Sequence, residues 1–187
     1  MQLATNAIEM AQLVLRRVLP EARILVDATA GNGNDTLFLA ENSPQEAKIY
    51  AFDIQPRAIA ATEKRTAAYK DRIQYVLDSH ERLGTVVHEP IDAIIFNLGY
   101  LPGGDHHVTT DAMSTLAAVQ AAVEKLALHG VLVVVVYPGH PAGQAESEAL
   151  AEYMPALPCG TFTVGCYRMV NHEEGAPFLY IVEKVRG

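Results

Sequence analysis

The feature that most constrains this chain is the regular alternation of short β-branched runs with Ala-rich, helix-prone stretches. The pattern predicts strands over 22–27, 47–53, 72–77, 91–97 and 130–137. Helices are expected over 34–41, from Pro56 to about residue 70, and over 81–87, 112–128 and 142–153, after an amphipathic opening helix over 5–19 closed by Pro20. Proline is well placed at the first position of a helix, as at Pro56. A strand, a helix and a further strand join most simply through a right-handed crossover, which builds a parallel sheet covered on both faces. The last third breaks the pattern. Strands are expected over 162–170 and 178–185, joined by a polar turn over 171–177, so the chain should end in a hairpin. The class is α/β, a Rossmann-like parallel sheet with one hairpin added.

Length and charge narrow the class. A chain of 187 residues can bury one hydrophobic core without disulfide or metal staples, so residues 1–187 are expected to form a single domain. Acidic residues outnumber basic ones, 22 to 14, for a net charge of −8. That balance argues against gripping long nucleic acid by bulk electrostatics, though not against a local basic patch. No apolar run reaches the ~18 residues of a membrane span. Glu9 interrupts the N-terminal apolar pattern and Arg16–Arg17 follow it, the reverse of a secretory signal. Cys159 and Cys166 stand without a Cys or His cluster, so neither a disulfide framework nor structural zinc is expected. The expected setting is cytoplasmic, with reduced thiols and no membrane partner.

The sharpest local signal is Asp27-Ala28-Thr29-Ala30-Gly31-Asn32-Gly33-Asn34-Asp35-Thr36, where a strand ends and a helix begins. Glycines at such a junction let the backbone turn tightly and approach a ligand closely. Asp53 ends the second strand, 20 residues beyond Gly33, where a carboxylate can accept both hydroxyls of a ribose. A dinucleotide fingerprint needs a third glycine where this chain has Thr36, and the loop lacks the lysine of a P-loop. A ligand with a ribose and no phosphate fits better, and S-adenosylmethionine is the common one. The expected cofactor set is Asp27, Gly31, Gly33, Asn34, Asp53, Ile54, Asp78 and Ser79. Asp78 and Ser79 end the third strand, near an adenine amino group, and they equally suit a helix N-cap. Ile54 either covers an adenine face or simply packs.

The fourth strand runs into Asn97-Leu98-Gly99-Tyr100-Leu101-Pro102-Gly103-Gly104-Asp105, a loop over the expected crevice. Its start resembles the Asn-Pro-Pro-Tyr signature of amino-group methyltransferases, with Leu98 and Gly99 in place of the prolines. An asparagine oxygen can accept amine hydrogens and aim the nitrogen lone pair, and a tyrosine can stack on a planar base. Asn97, Tyr100 and His140 form the expected catalytic set, His140 as a proton acceptor at the end of the fifth strand. Asp105, His106, His107 and His140 match no strong metal-ligand spacing, so no metal is expected. His129, before Gly130, reads as a helix C-terminal residue placed by the dipole.

Together these motifs resemble the class I S-adenosylmethionine-dependent methyltransferases over nearly the whole chain. More closely, they resemble the small bacterial family long labelled rRNA methylases. Members of that family are described as tRNA methyltransferases acting on the 5-aminomethyl group of wobble 2-thiouridine. The resemblance implies a seven-stranded, mostly parallel sheet of order 3-2-1-4-5-7-6 with helices on both faces and the last strand antiparallel. It also implies the product 5-methylaminomethyl-2-thiouridine and a homodimer. Carried over, Gly31 and Gly33 would line the cofactor, Asp27 would lie near its methionine portion, Asp53 would hold the ribose, and Asn97 and Tyr100 would face the acceptor. The tRNA anticodon region is then the expected partner, held by local basic clusters: Arg16–Arg17, Lys64–Arg65 with Lys70 and Arg72, and Arg168 with Lys184 and Arg186. Competing readings are an rRNA or small-amine methyltransferase, a non-catalytic cofactor-binding regulator, and a nicotinamide-dependent oxidoreductase.

Overall fold

The computed structural model describes residues 4–98, 112–173 and 175–187. Its strands are β1 (Ile24–Asp27), β2 (Lys48–Asp53), β3 (Ile73–Leu77), β4 (Ile91–Asn97), β5 (Leu126–Val136), β6 (Phe162–Tyr167) and β7 (Phe178–Lys184). They form one sheet in the order β3-β2-β1-β4-β5-β7-β6, as the resemblance implies. The strands from β3 to β5 pair in parallel, and β7 runs antiparallel between β5 and β6. The hairpin therefore inserts its second strand beside β5 and leaves its first at the sheet edge.

Among the described residues, six helices cover the sheet: α1 (Ala7–Leu15), α2 (Asn34–Asn42), α3 (Pro56–Arg65), α4 (Leu83–Val86), α5 (Ala112–Lys125) and α6 (Pro141–Ala156). Successive strand residues point to opposite faces, and this alternation divides the core in two. Ile94 and Phe96 of β4 and Leu132, Val134 and Val136 of β5 pack with α4, α5 and α6. Ala93 and Ile95, with Val131, Val133 and Val135, pack on the other face with α1 and α2. Each large apolar side chain so buried contributes roughly 1.5–3 kcal/mol. Among the described residues, no helix is long and apolar enough to cross a membrane.

Several boundaries differ from the sequence pattern. The first helix spans only Ala7–Leu15, and a 3₁₀ turn at Leu19–Glu21 carries Pro20. The third helix stops at Arg65 and gives way to a 3₁₀ stretch, Ala67–Arg72. The largest difference is at β5, which begins at Leu126 where helix was expected. Between the pairs Ile91↔Leu126 and Ala93↔Val131 the register shifts, so β5 carries a bulge. His129 lies in it with φ +66°, and a Cβ on Gly130 would meet the Ile91 carbonyl oxygen at 2.6 Å. His129 is thus a bulge residue facing Glu183 (Nδ1 to Oε1, 3.9 Å), and the helix-dipole reading is corrected.

Candidate active site

The carboxyl ends of β1, β2 and β4 converge around the glycine loop. Gly31 and Gly33 have φ +53° and +78°, the left-handed region where a side chain is strained. Gly33 is further constrained, because an added Cβ would lie 2.8 Å from the Thr62 Cα of α3. The loop is tied down on several sides. Gly31 N–H donates to Asp53 Oδ2 (2.9 Å), Thr62 Oγ1 donates to the Gly31 carbonyl (3.3 Å), and Arg65 Nε donates to the Asn32 carbonyl (2.6 Å). Gly33 caps α2 without a side-chain acceptor, so backbone N–H groups of the first turn remain for a ligand.

Asp53 accepts from Gly31 N–H through Oδ2 and from Gln55 N–H (2.9 Å) through Oδ1. A carboxylate has about four acceptor sites, so both ribose hydroxyls can still be accommodated. Ile54 and Leu77 stand beside it at the ends of adjacent strands, each more than half exposed although apolar. Asp78 is exposed and accepts from Ser79 N–H (2.8 Å). Ser79 in turn caps the 3₁₀ turn His80–Arg82 by accepting from Glu81 N–H (3.2 Å). Asn34 is exposed at the start of α2. Left-handed glycines, a half-exposed carboxylate and an apolar rim fit an adenosine-bearing ligand without phosphate.

Asp27 is fully buried, so its side chain works inside the site. It accepts from Thr36 Oγ1 (2.6 Å) and Thr29 N–H (3.1 Å). Burial, then the negative charge of Asp35, push its carboxyl up to about 7 against the bonds from Thr36 and Thr29. Burial likewise raises Asp35, opposed by a hydrogen bond from Asn97. Asn97 is gripped at three atoms. Its N–H donates to Thr29 Oγ1 (2.8 Å), its Nδ2 donates to Asp35 Oδ2 (3.0 Å), and its Oδ1 accepts from the Tyr137 hydroxyl (2.9 Å).

His140 sits at the start of α6. Its Nδ1 accepts from Gly143 N–H (3.1 Å), making it the N-cap of α6. That bond engages Nδ1 in the start of the helix. Tyr100, with Gly99, Asp105, His106 and His107, lies outside the described residues. No group of three or more His, Cys, Asp or Glu side chains gathers at metal-binding distance among the described residues. The sequence reading missed Thr29, Thr36, Asp35 and Tyr137 as site residues. Asp35 and Thr36 sit inside the glycine motif, and Tyr137 directly follows β5, the strand beside β4. These positions were the available signal.

A family model described as "Putative rRNA methylase" matches residues 49–183. A curated relative in Arabidopsis thaliana, "tRNA (mnm(5)s(2)U34)-methyltransferase, chloroplastic", is 33% identical over 178 residues, covering 89% of this chain. The chain spans 65% of that protein's length, just under two thirds. A crystal structure of a "putative rRNA-methylase" from Clostridium thermocellum superposes with a TM-score of 0.94 at 34% identity, covering 98% of this chain and all of that one. A "putative methyltransferase" from Streptococcus mutans, solved in complex with SAH, gives 0.87 at 36% identity, covering 97% and 99%.

Proposed function

The chain belongs to the family described as "Putative rRNA methylase", and from that premise we propose that it is an S-adenosylmethionine-dependent methyltransferase acting on an amine, the 5-aminomethyl group of wobble 2-thiouridine in tRNA. The observation that carries the amine reading is the Asn97 amide at the carboxyl end of β4, bonded into the first turn of the glycine-loop helix. The tRNA reading is supported by the name of the plant relative, and the rRNA alternative by the family's description.

The cofactor, when bound, supplies an electrophilic methyl group on a sulfonium whose sulfur departs without needing a proton. The glycine loop and the first-turn N–H groups of α2 would hold it, with Asp53 on the ribose, Ile54 and Leu77 along the adenine, and Asp78 and Ser79 at its edge. Asn97 Oδ1 accepts an amine hydrogen and turns the nitrogen lone pair toward the reacting carbon. Tyr100 is proposed to stack on the base. Displacement of this kind gains most of its rate from proximity and alignment. The buried carboxylates Asp27 and Asp35 surround this point with negative charge, which favours a cationic cofactor over its neutral product.

The anionic chain is proposed to hold only a small RNA element, the anticodon stem-loop, with a homodimer sharing the footprint. Several basic side chains serve the fold instead. Arg16 bonds Asn42 and stacks on Phe38, Arg168 lies 4.3 Å over the Phe178 ring, and Lys184 donates to the Leu126 carbonyl (3.0 Å). Arg17, Lys64, Lys70 and Arg186 are exposed and are the proposed phosphate contacts. The test is labelled methyl transfer into total tRNA from cells lacking the protein, with nucleosides identified by mass spectrometry. Label in 5-methylaminomethyl-2-thiouridine is the expected result. Label only in rRNA, or in no RNA, overturns the tRNA reading.

A further inference from the structure

The two side chains that grip the Asn97 amide decide which way it faces. An amide keeps its outline when turned over, so shape alone does not distinguish its oxygen from its nitrogen. Its neighbours do. The Asn97 NH₂ group faces Asp35 and its oxygen faces Tyr137, and while Asp35 is ionised its carboxylate, which only accepts hydrogen bonds, holds the amide that way round. A tyrosine hydroxyl either donates or accepts, but opposite an oxygen it donates. Burial and the charge of Asp35 push Tyr137 up to about 12, so it keeps the proton it donates. An amide oxygen has two lone pairs, and Tyr137 takes one.

We propose that Asp35 and Tyr137 are positioning residues for methyl transfer, locking the Asn97 amide in the orientation whose oxygen keeps a lone pair for the acceptor amine. The proposal rests on the reading of Asn97 as the residue that meets the amine. Three segments meet in this clamp: the first turn of α2, the end of β4, and the residue after β5. The Asn97 N–H bond to Thr29 fixes the backbone as well, so the side chain has little freedom apart from the turn-over that Asp35 forbids. The same first turn of α2 that is proposed to receive the cofactor therefore also orients the group meeting the acceptor. In Asp35→Asn the new side chain both donates and accepts, so either orientation of Asn97 is satisfied.

The test uses Asp35→Asn and Tyr137→Phe in the full chain, with unmethylated tRNA as acceptor and calorimetry with S-adenosylmethionine. Asp35→Asn is expected to lower kcat by about 10- to 100-fold, the range of a misaligned reacting group, with KM for tRNA within about twofold and a clearly smaller loss of cofactor affinity from the missing negative charge. Tyr137→Phe is expected to lower kcat by less, about 3- to 10-fold, since the carboxylate still dictates the orientation. The NMR signals of the Asn97 side-chain NH₂, assigned through Asn97→Asp, should lose their carboxylate-bonded shift in Asp35→Asn. An unchanged kcat, a cofactor Kd that weakens in step with kcat, or NH₂ signals unmoved by Asp35→Asn would each overturn the proposal. If tRNA accepts no methyl group from the wild type while the NH₂ signals respond as expected, the acceptor reading fails and the clamp stands.

Discussion

The two ends of the same sheet treat charge in opposite ways. At the amino end, Asp92 and Glu89 have donors around them. Asp92 accepts from Arg23 N–H (2.7 Å) and Ile24 N–H (2.9 Å), which starts β1. Glu89 is held below the usual carboxylate range, first by backbone hydrogen bonding and then by Lys48, 3.7 Å away. At the carboxyl end, Asp27 and Asp35 are buried side by side and both are pushed upward. Among the described residues, the donors on those two are hydroxyl, amide and backbone groups, with no cation. One end spends its charges on holding the fold. The other keeps a costly negative crevice, which is useful only to a ligand that brings positive charge.

That contrast can be broken most severely at Asp53. Asp53→Ala should weaken cofactor binding on the order of 100-fold, because each hydrogen bond to a charged group contributes about 1.5–3 kcal/mol. Unchanged calorimetric affinity would remove Asp53 from the site. Next comes Gly33→Ala, which forces a side chain into left-handed backbone against Thr62 and should cost about 1–3 kcal/mol in urea unfolding.

The buried carboxylates give the opposite sign. Asp27 has a folded value near 7 against 3.8 for an ordinary aspartate, so its proton is held more tightly in the folded state. Its contribution is fully present below about pH 4 and is lost as pH rises through about 7. Without cofactor, the wild type should melt at a higher temperature at pH 5.5 than at pH 8. Asp27→Asn keeps the partners of Asp27 and removes the buried charge. It should stabilise the protein by about 1–3 kcal/mol at pH 8 and flatten the dependence. A variant that melts lower than wild type at pH 8 would contradict a strained carboxylate there. The smallest effect belongs to the amino end. Lys48 and Glu89 are both about two-fifths exposed, so Lys48→Met should change stability by less than ~1 kcal/mol.

Strand–helix alternation by itself determined the parallel sheet, because apolar runs such as 91–97 can be buried on both faces only under crossover helices. Local chemistry also determined the glycine turn, since Gly31 and Gly33 occupy backbone that other residues adopt only with strain. Asp53 was readable from its spacing alone, as a fixed distance along a strand–helix–strand unit returns the chain to the same sheet edge. What the sequence could not show depends on groups far apart in the chain. The bulge at His129 arises from pairing with Ile91, and it overrides a helical pattern that local periodicity supports. Asp35, Asn97 and Tyr137 stand 62 and 40 residues apart along the chain, and each alone is an ordinary polar residue. Only the convergence of α2, β4 and β5 brought them together, with Asp35 buried and Asn97 and Tyr137 half-buried. That setting raises Asp35, keeps the tyrosine protonated and holds the amide in one orientation.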